Sequence, residues 1–104
     1  MGMNRDQALS ALRAHEQELR AAGVLSVSVF GSVARDEGGA DSDIDVAIRV
    51  GKNFSTGGFD YFSRLDEIER RLAGITGCRV DVIEEPVRRR RLQAEIERDR
   101  VLAF

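Results

Sequence analysis

Asp43 and Asp45 flank a single isoleucine, and Asp81 sits between two valines in Val80-Asp81-Val82. Residues separated by one other on a β-strand share a face. With ~3.3 Å of rise per residue their Cα atoms lie about 6.5 Å apart, so the Asp43 and Asp45 carboxylates converge on one spot. Val80 and Val82 belong in a core, which turns the Asp81 carboxylate the opposite way. If the two strands are neighbours in one sheet, all three carboxylates emerge on the same face. Clustered like charges raise one another's pKa and are costly unless cations neutralise them. Mg2+ suits such a cluster: it takes hard oxygen ligands, keeps waters, and is commonly held by a few carboxylates together with substrate phosphates. The missing His and Cys ligands argue against Zn2+. Two ions roughly 3.5–4 Å apart stabilise both the attacking and the leaving oxygens of phosphoryl or nucleotidyl transfer.

Upstream, Phe30-Gly31-Ser32 ends one strand and opens a short helix. Gly31 lets a phosphate approach the backbone, Ser32 offers a hydroxyl and an N–H, and a helix starting at Val33 adds free N–H groups for an anion. Arg35, one turn on, has the reach for a bidentate phosphate contact. Lys52, after the acidic strand, is a further candidate. Each piece alone has an ordinary reading, the Gly-Ser pair as a turn and Asp-x-Asp as a solvated strand edge. The combination, with apolar neighbours around every aspartate, points to chemistry.

These residues must be held by regular elements. Ala8, Leu12, Leu19 and Ala22, with Leu9 beside them, form a helical stripe from about Arg5 to Ala22, and Gly23 stops it. Leu25, Val27 and Val29 alternate with Ser26, Ser28 and Phe30 in a strand whose two faces are both at least partly covered. The second strand starts at about Asp43, with Ile44, Val46, Ile48 and Val50 on one side and Asp43, Asp45, Ala47 and Arg49 on the other. Residues 51–58, GKNFSTGG, are a glycine-rich loop of the kind that flanks a site. A helix from about Asp60 to Ala73 turns Tyr61, Leu65, Ile68 and Leu72 inward, with Phe62 and Ala73 alongside. The third strand, Arg79 to Ile83, is closed by Glu84-Glu85-Pro86. Leu92 and Ile96 lie on a charged helix, followed by a short apolar end. The order α-β-(α)-β-α-β-α predicts an α/β (α+β) fold, a small mixed sheet flanked by helices.

The chain has 104 residues, 16 basic against 18 acidic for a formal charge of -2, 42% hydrophobic and 33% charged residues. That length predicts a single domain over 1–104 and excludes a two-domain enzyme. The charge balance argues against nucleic acid as a direct partner. Cys78 is the only cysteine, so neither an internal disulfide nor a Cys-based metal cage is expected. No stretch approaches a membrane span and the start of the chain lacks a secretory core, which predicts a cytoplasmic protein. Several residues have bland readings as the better ones. Arg88, Arg89, Arg90 and Arg91 read as a solvated helix start, with an acidic partner surface or RNA as the alternative. His15 reads as a helix-edge histidine, Cys78 as a small apolar residue, and Phe59 and Tyr61 as core rather than adenine-stacking rings. Gly51-Lys52 lacks the GxxxxGK[ST] pattern of a P-loop.

At Gly31-Ser32, Asp43-Ile44-Asp45 and Asp81 the sequence resembles the polymerase β-like nucleotidyltransferase superfamily. Gly-Ser-Val-Ala-Arg with Ser-Asp-Ile-Asp looks most like its minimal nucleotidyltransferases, over about residues 24 to 83. One departure is Asp36, where that group often has glycine. The resemblance implies the superfamily's fold and a nucleoside triphosphate, ATP, bound with two Mg2+ and attacked at the α-phosphate by a hydroxyl, with pyrophosphate leaving. It implies that Asp43 and Asp45 hold both metals, that Asp81 holds the catalytic one and orients or deprotonates the nucleophile, and that Gly31, Ser32, Arg35 and Ser42 contact the nucleotide. Larger members carry a second domain for which this chain is too short, so a partner completes the site. The minimal group's partner is a HEPN ribonuclease toxin, and the implied function is an antitoxin that transfers AMP to a tyrosine of that toxin. The alternatives are a small-molecule nucleotidyltransferase subunit and an antitoxin that only binds. A second copy of the chain is the other candidate partner.

Overall fold

The computed structural model describes residues 4–37, 43–52, 54 and 61–104. In chain order the elements are α1 (Arg5–Ala14), α2 (Glu16–Ala21), β1 (Val24–Phe30), α3 (Gly31–Ala34), β2 (Ile44–Val50), α4 (Tyr61–Thr76), β3 (Val80–Glu84), α5 (Arg90–Asp99) and β4 (Val101–Leu102). A capping box starts α1: the Asn4 side chain accepts from the Gln7 N–H at 2.8 Å, while the Asn4 N–H donates to Gln7 Oε1. The single first helix expected from the apolar stripe is two helices, because His15 leaves helical geometry at φ −108°, ψ 19°. The stripe survives the break, with Ala8, Leu9, Leu12 and Leu19 all buried. Gly23, at φ +101°, reverses the chain into β1 as expected.

The sheet order is β3-β2-β1-β4. β1 runs antiparallel to β2 and β4, and β2 runs parallel to β3, with α4 as the crossover between them. β4 was not expected. It is only two residues long and exists through a pairing of Val101 and Leu102 with Val29 and Ser28, which no local pattern announces.

Alternation on three strands gives the sheet two covered faces. Val27, Val29, Ile44, Val46, Ile48 and Val80 meet the apolar sides of α1, α2 and α4 through Leu12, Leu19, Ile68 and Leu72, forming the main core. Burying each such aliphatic side chain contributes about 1.5–3 kcal/mol. On the reverse face Phe30 and Ala47 pack against Ile96 of α5, with Ile83 and Leu92 beside them. Two expectations about orientation need correction. Leu25 is 53% exposed and Val24 is buried, because the ladder slips between Val24 and Ser26 and inverts the phase at the start of β1. Phe62 is 76% exposed, turned away from the inner stripe of α4.

Candidate functional site

The parallel pairing of β2 with β3 sets Asp45 directly opposite Asp81, and the antiparallel pairing of β1 with β2 sets Phe30 opposite Asp45. Neighbouring strands are about 4.8 Å apart, so the Gly31 bend, Asp45 and Asp81 follow one another across the sheet within about 10 Å. Asp43 stands immediately before β2, at the same sheet end. Asp43 and Asp45 are half-buried and Asp81 is exposed. Burial pushes the Asp45 carboxyl up from its ordinary range, the charges of Asp81 and Asp43 push it further, and Arg35 offsets only part of that. Among the described residues no ion pair reaches any of the three carboxylates.

Gly31 lies at φ +75°, in the left-handed region that disfavours every side chain, and a Cβ there would run into Asp45 Oδ2 and sit 3.2 Å from Asp45 Cγ. The bend is therefore pressed against the carboxylate with only a hydrogen between them. Ser32 follows, half-exposed, in the first turn of α3, which begins at Gly31 rather than at Val33.

The donor set fits a hard divalent cation: hard oxygens, no imidazole or thiol among them, and a half-buried carboxylate crowded by two others with no cation paired to it. Among the described residues no three His, Cys, Asp or Glu side chains are gathered closely enough to hold an ion by themselves. An open arrangement of this kind leaves coordination positions for substrate phosphates and waters, which is how Mg2+ is commonly bound.

Arg35 lies close enough to influence Asp45, but its guanidinium is engaged elsewhere, Nε with Glu37 at 3.0 Å and Nη1 with Asp99 at 2.6 Å. Those two partners raise its pKa further. A phosphate contact would have to compete with both. Lys52 is at the wrong end: β2 carries the chain about 20 Å from Asp45 before Lys52 is reached. Ser42 and Phe59 lie outside the described residues. Tyr61 packs edge-on against Phe54 and Phe62, and burial together with a hydrogen bond to Glu84 pushes its hydroxyl up to about 12. His15 pairs with Glu18 at 3.0 Å, Cys78 packs on the edge of the main core, and Arg88 to Arg91 are all exposed around the start of α5. Asp36, the departure from the family pattern, sits at φ +61°. The backbone there has the conformation that glycine takes without strain and that aspartate tolerates better than most residues.

Two features escaped the sequence reading. A groove of about 320 Å3 opens beside Asp43 and Asp81 and is lined also by Glu69 and Arg70 of α4 and by Arg79. Arg79 shares the parity of Asp81, a signal the sequence did carry. A larger hollow of about 580 Å3, along Ser63, Arg64, Asp66, Glu67 and Arg70, includes none of the acidic cluster. The second feature is Glu85, whose side chain is 1% exposed and is held by Arg100, by Gln93 at 2.9 Å and, at 3.9 Å, by Arg49. Glu84-Glu85-Pro86 reads locally as a solvated turn, so nothing nearby announced it.

A fold with parallel β2 and β3, a glycine bend at the end of β1 and carboxylates clustered at the same sheet end is that of a nucleotidyl-transferring enzyme, and the comparisons agree. The nucleotidyltransferase domain family matches residues 12–103, and the chain belongs to it. It is 36% identical over 75 residues to the protein adenylyltransferase MntA of Thermococcus cleftensis, a stretch that is 71% of this chain and 70% of that protein. A solved structure proposed to be a minimal nucleotidyltransferase superposes with a TM-score of 0.70 at 31% identity, covering 95% of each chain. The same fold occurs in a complex of tri-AMPylated Shewanella oneidensis HEPN toxin with MNT antitoxin, at a TM-score of 0.60 and 17% identity over 92% of this chain and 71% of that one. It recurs in a toxin–antitoxin crystallised with AMP-PNP, at 0.63 and 19% identity over 98% and 73%. The expected mixed α/β fold and enzyme class are thereby established. Among the described residues no helix is long and apolar enough to cross a membrane.

Proposed function

We propose that this chain transfers AMP from ATP to a tyrosine hydroxyl of a HEPN-type toxin and thereby acts as its antitoxin, with Asp43, Asp45 and Asp81 as the metal-binding carboxylates. The observation that carries this reading is the juxtaposition of Asp45 and Asp81 on paired strands with the Gly31 bend pressed against Asp45. The names of the relatives support it, one a protein adenylyltransferase and another a complex with an AMPylated HEPN toxin.

In this reading Gly31 and Ser32 bind the β- and γ-phosphates, whose leaving charge the bend's backbone accommodates because no side chain intrudes. Asp43 and Asp45 would hold two Mg2+ ions and Asp81 one of them. Bound there, the ions supply charge neutralisation for the α-phosphate and the departing pyrophosphate. The acceptor oxygen forms a bond to the α-phosphorus as the bond to the bridging oxygen of pyrophosphate breaks. Asp81, exposed on the far side of Asp45 from the bend, would in this reading orient the attacking hydroxyl and take its proton. A protein that only binds its partner has no use for an acidic cluster without counter-charges, which favours turnover over binding alone.

The test is to incubate the chain with ATP, Mg2+ and a HEPN protein encoded beside it, and to weigh that protein. A gain of one or more AMP units, lost with Asp43→Asn or Asp45→Asn, is the expected result. Tight binding without a mass change would overturn the transfer reading, and labelled AMP on a small molecule instead would redirect it.

A further inference from the structure

The groove beside Asp43 and Asp81 lies on the opposite side of Asp45 from the glycine bend. Across the sheet the order is Gly31 after β1, Asp45 on β2, Asp81 on β3, and then the groove with Arg70 and Arg79. Displacement at phosphorus sets the attacking and leaving oxygens roughly in line. If the leaving pyrophosphate is held at Gly31 and Ser32, the attacking hydroxyl arrives from the β3 side, through this groove.

The groove is charged in both senses. Asp43, Asp81 and Glu69 contribute carboxylates, yet neither Arg70 nor Arg79 is ion-paired to any of them among the described residues. Arg70 makes only a pair with Asp66 one turn away, at 2.6 Å with both side chains largely exposed, a kind of contact that is readily exchanged. Arg79 is exposed, while its carbonyl accepts the Ile44 N–H at 2.9 Å, which fixes its backbone between the starts of β2 and β3. β3 is the last strand of the sheet, so its outer edge carries no strand among the described residues.

Resting on the transfer reading above, we infer that Arg70 and Arg79 select the acceptor: the hydroxyl is presented on an extended polypeptide segment that carries carboxylates beside it. The arginines take the acidic neighbours while the hydroxyl reaches Asp81. An extended segment suits the open β3 edge, which offers main-chain groups as well as flanking charge. A polyphosphate chain suits it poorly, because it carries charge at every unit and would meet the three carboxylates of the groove as well as the arginines, whereas the carboxylates of a peptide are spaced by neutral groups and can meet the arginines alone.

The probes are random copolymers of glutamate with tyrosine and of lysine with tyrosine, a short RNA, and ATP labelled at the α-phosphate. The wild-type chain should label the glutamate copolymer at least about tenfold faster than the lysine copolymer, and the RNA not at all. The double exchange Arg70→Glu with Arg79→Glu should abolish that preference while leaving ATP binding unchanged, and Arg70→Gln and Arg79→Gln should each remove part of it. Equal labelling of the two copolymers, labelling of neither, preferential labelling of the RNA, or a preference that survives the double exchange would overturn the inference. So would loss of ATP binding in the exchanged chain, which would assign the arginines to the triphosphate. AMP found on a HEPN protein with neither copolymer labelled would defeat this inference alone; AMP on no acceptor of any kind would defeat the transfer reading itself.

Discussion

Asp81 and Glu85 rise from the same face of the same sheet edge, four residues apart along β3 and its continuation. They have opposite fates. Glu85 is buried and surrounded by Arg100, Gln93 and Arg49, with Arg100 also donating to buried Ser28. Burial alone would push its carboxyl up, but the bonds from Arg100 and Gln93 hold it below the ordinary range. Asp81 is exposed, faces Asp45 and Asp43, and has no cation paired to it among the described residues. Where a carboxylate serves the fold, the chain supplies its counter-charge, from Arg100 just beyond α5 and from Arg49 on β2. Where the chain leaves the counter-charge out, burial and the neighbouring carboxylates together raise the Asp45 pKa, and the proposed chemistry assigns that unbalanced charge to ions arriving with a substrate.

That contrast can be broken most forcefully by neutralising the acidic end. Asp45→Asn should lower AMP transfer by about a thousandfold or more, the equivalent of about 4 kcal/mol, while its melting temperature stays level or rises, since a repelled charge has been removed. Transfer assays and thermal denaturation on the same preparation check both halves. At the other end, Arg100→Ala leaves Glu85 buried with only Gln93 and the more distant Arg49 as partners and should destabilise the chain by about 3 kcal/mol in urea denaturation. Gly31→Ala, at the acidic end, forces a side chain into a left-handed backbone and onto Asp45; a loss of about 2 kcal/mol and of transfer together is expected.

The two ends should also titrate in opposite directions. Asp45 has a folded pKa above 3.8, so its charge repulsion is absent at low pH and sets in as the pH rises through the folded value. Glu85 has a folded pKa below 4.5, so its stabilisation is present above that value and is lost as the pH falls through the folded one. In denaturation at pH 3 to 7, Asp45→Asn should therefore gain on the wild type as the pH rises, and Glu85→Gln should fall behind it. The smallest effect is at Asp36, where glycine should add about 0.5–1 kcal/mol by relieving the positive φ, with transfer unchanged.

Much of the site was legible because strand parity is a strong rule. Asp43, Asp45 and Asp81 declared their face through Ile44, Val46, Val80 and Val82, and all four of those apolar residues pack into or against the main core. What stayed hidden depends on distant partners. Arg35 read as free until Asp99, brought back by α5, claimed one of its nitrogens. Lys52 looked close to Asp45 along the chain, whereas a strand carries its ends apart. β4 is made by β1 rather than by its own two residues, and the slip between Val24 and Ser26 that exposes Leu25 is a property of the pairing, not of either strand. Arg79 was readable by the same parity rule as Asp81, but only the groove shows what it faces.

The most direct test of the acidic cluster is Mn2+ binding, followed by electron paramagnetic resonance, with and without a non-hydrolysable ATP analogue, in the wild type and in Asp45→Asn. The wild type should bind Mn2+ more tightly when the analogue is present, and Asp45→Asn should lose that gain without losing its fold. Equal binding by the two proteins, or none by the wild type, would mean that these carboxylates hold no ion and that the proposed chemistry belongs elsewhere.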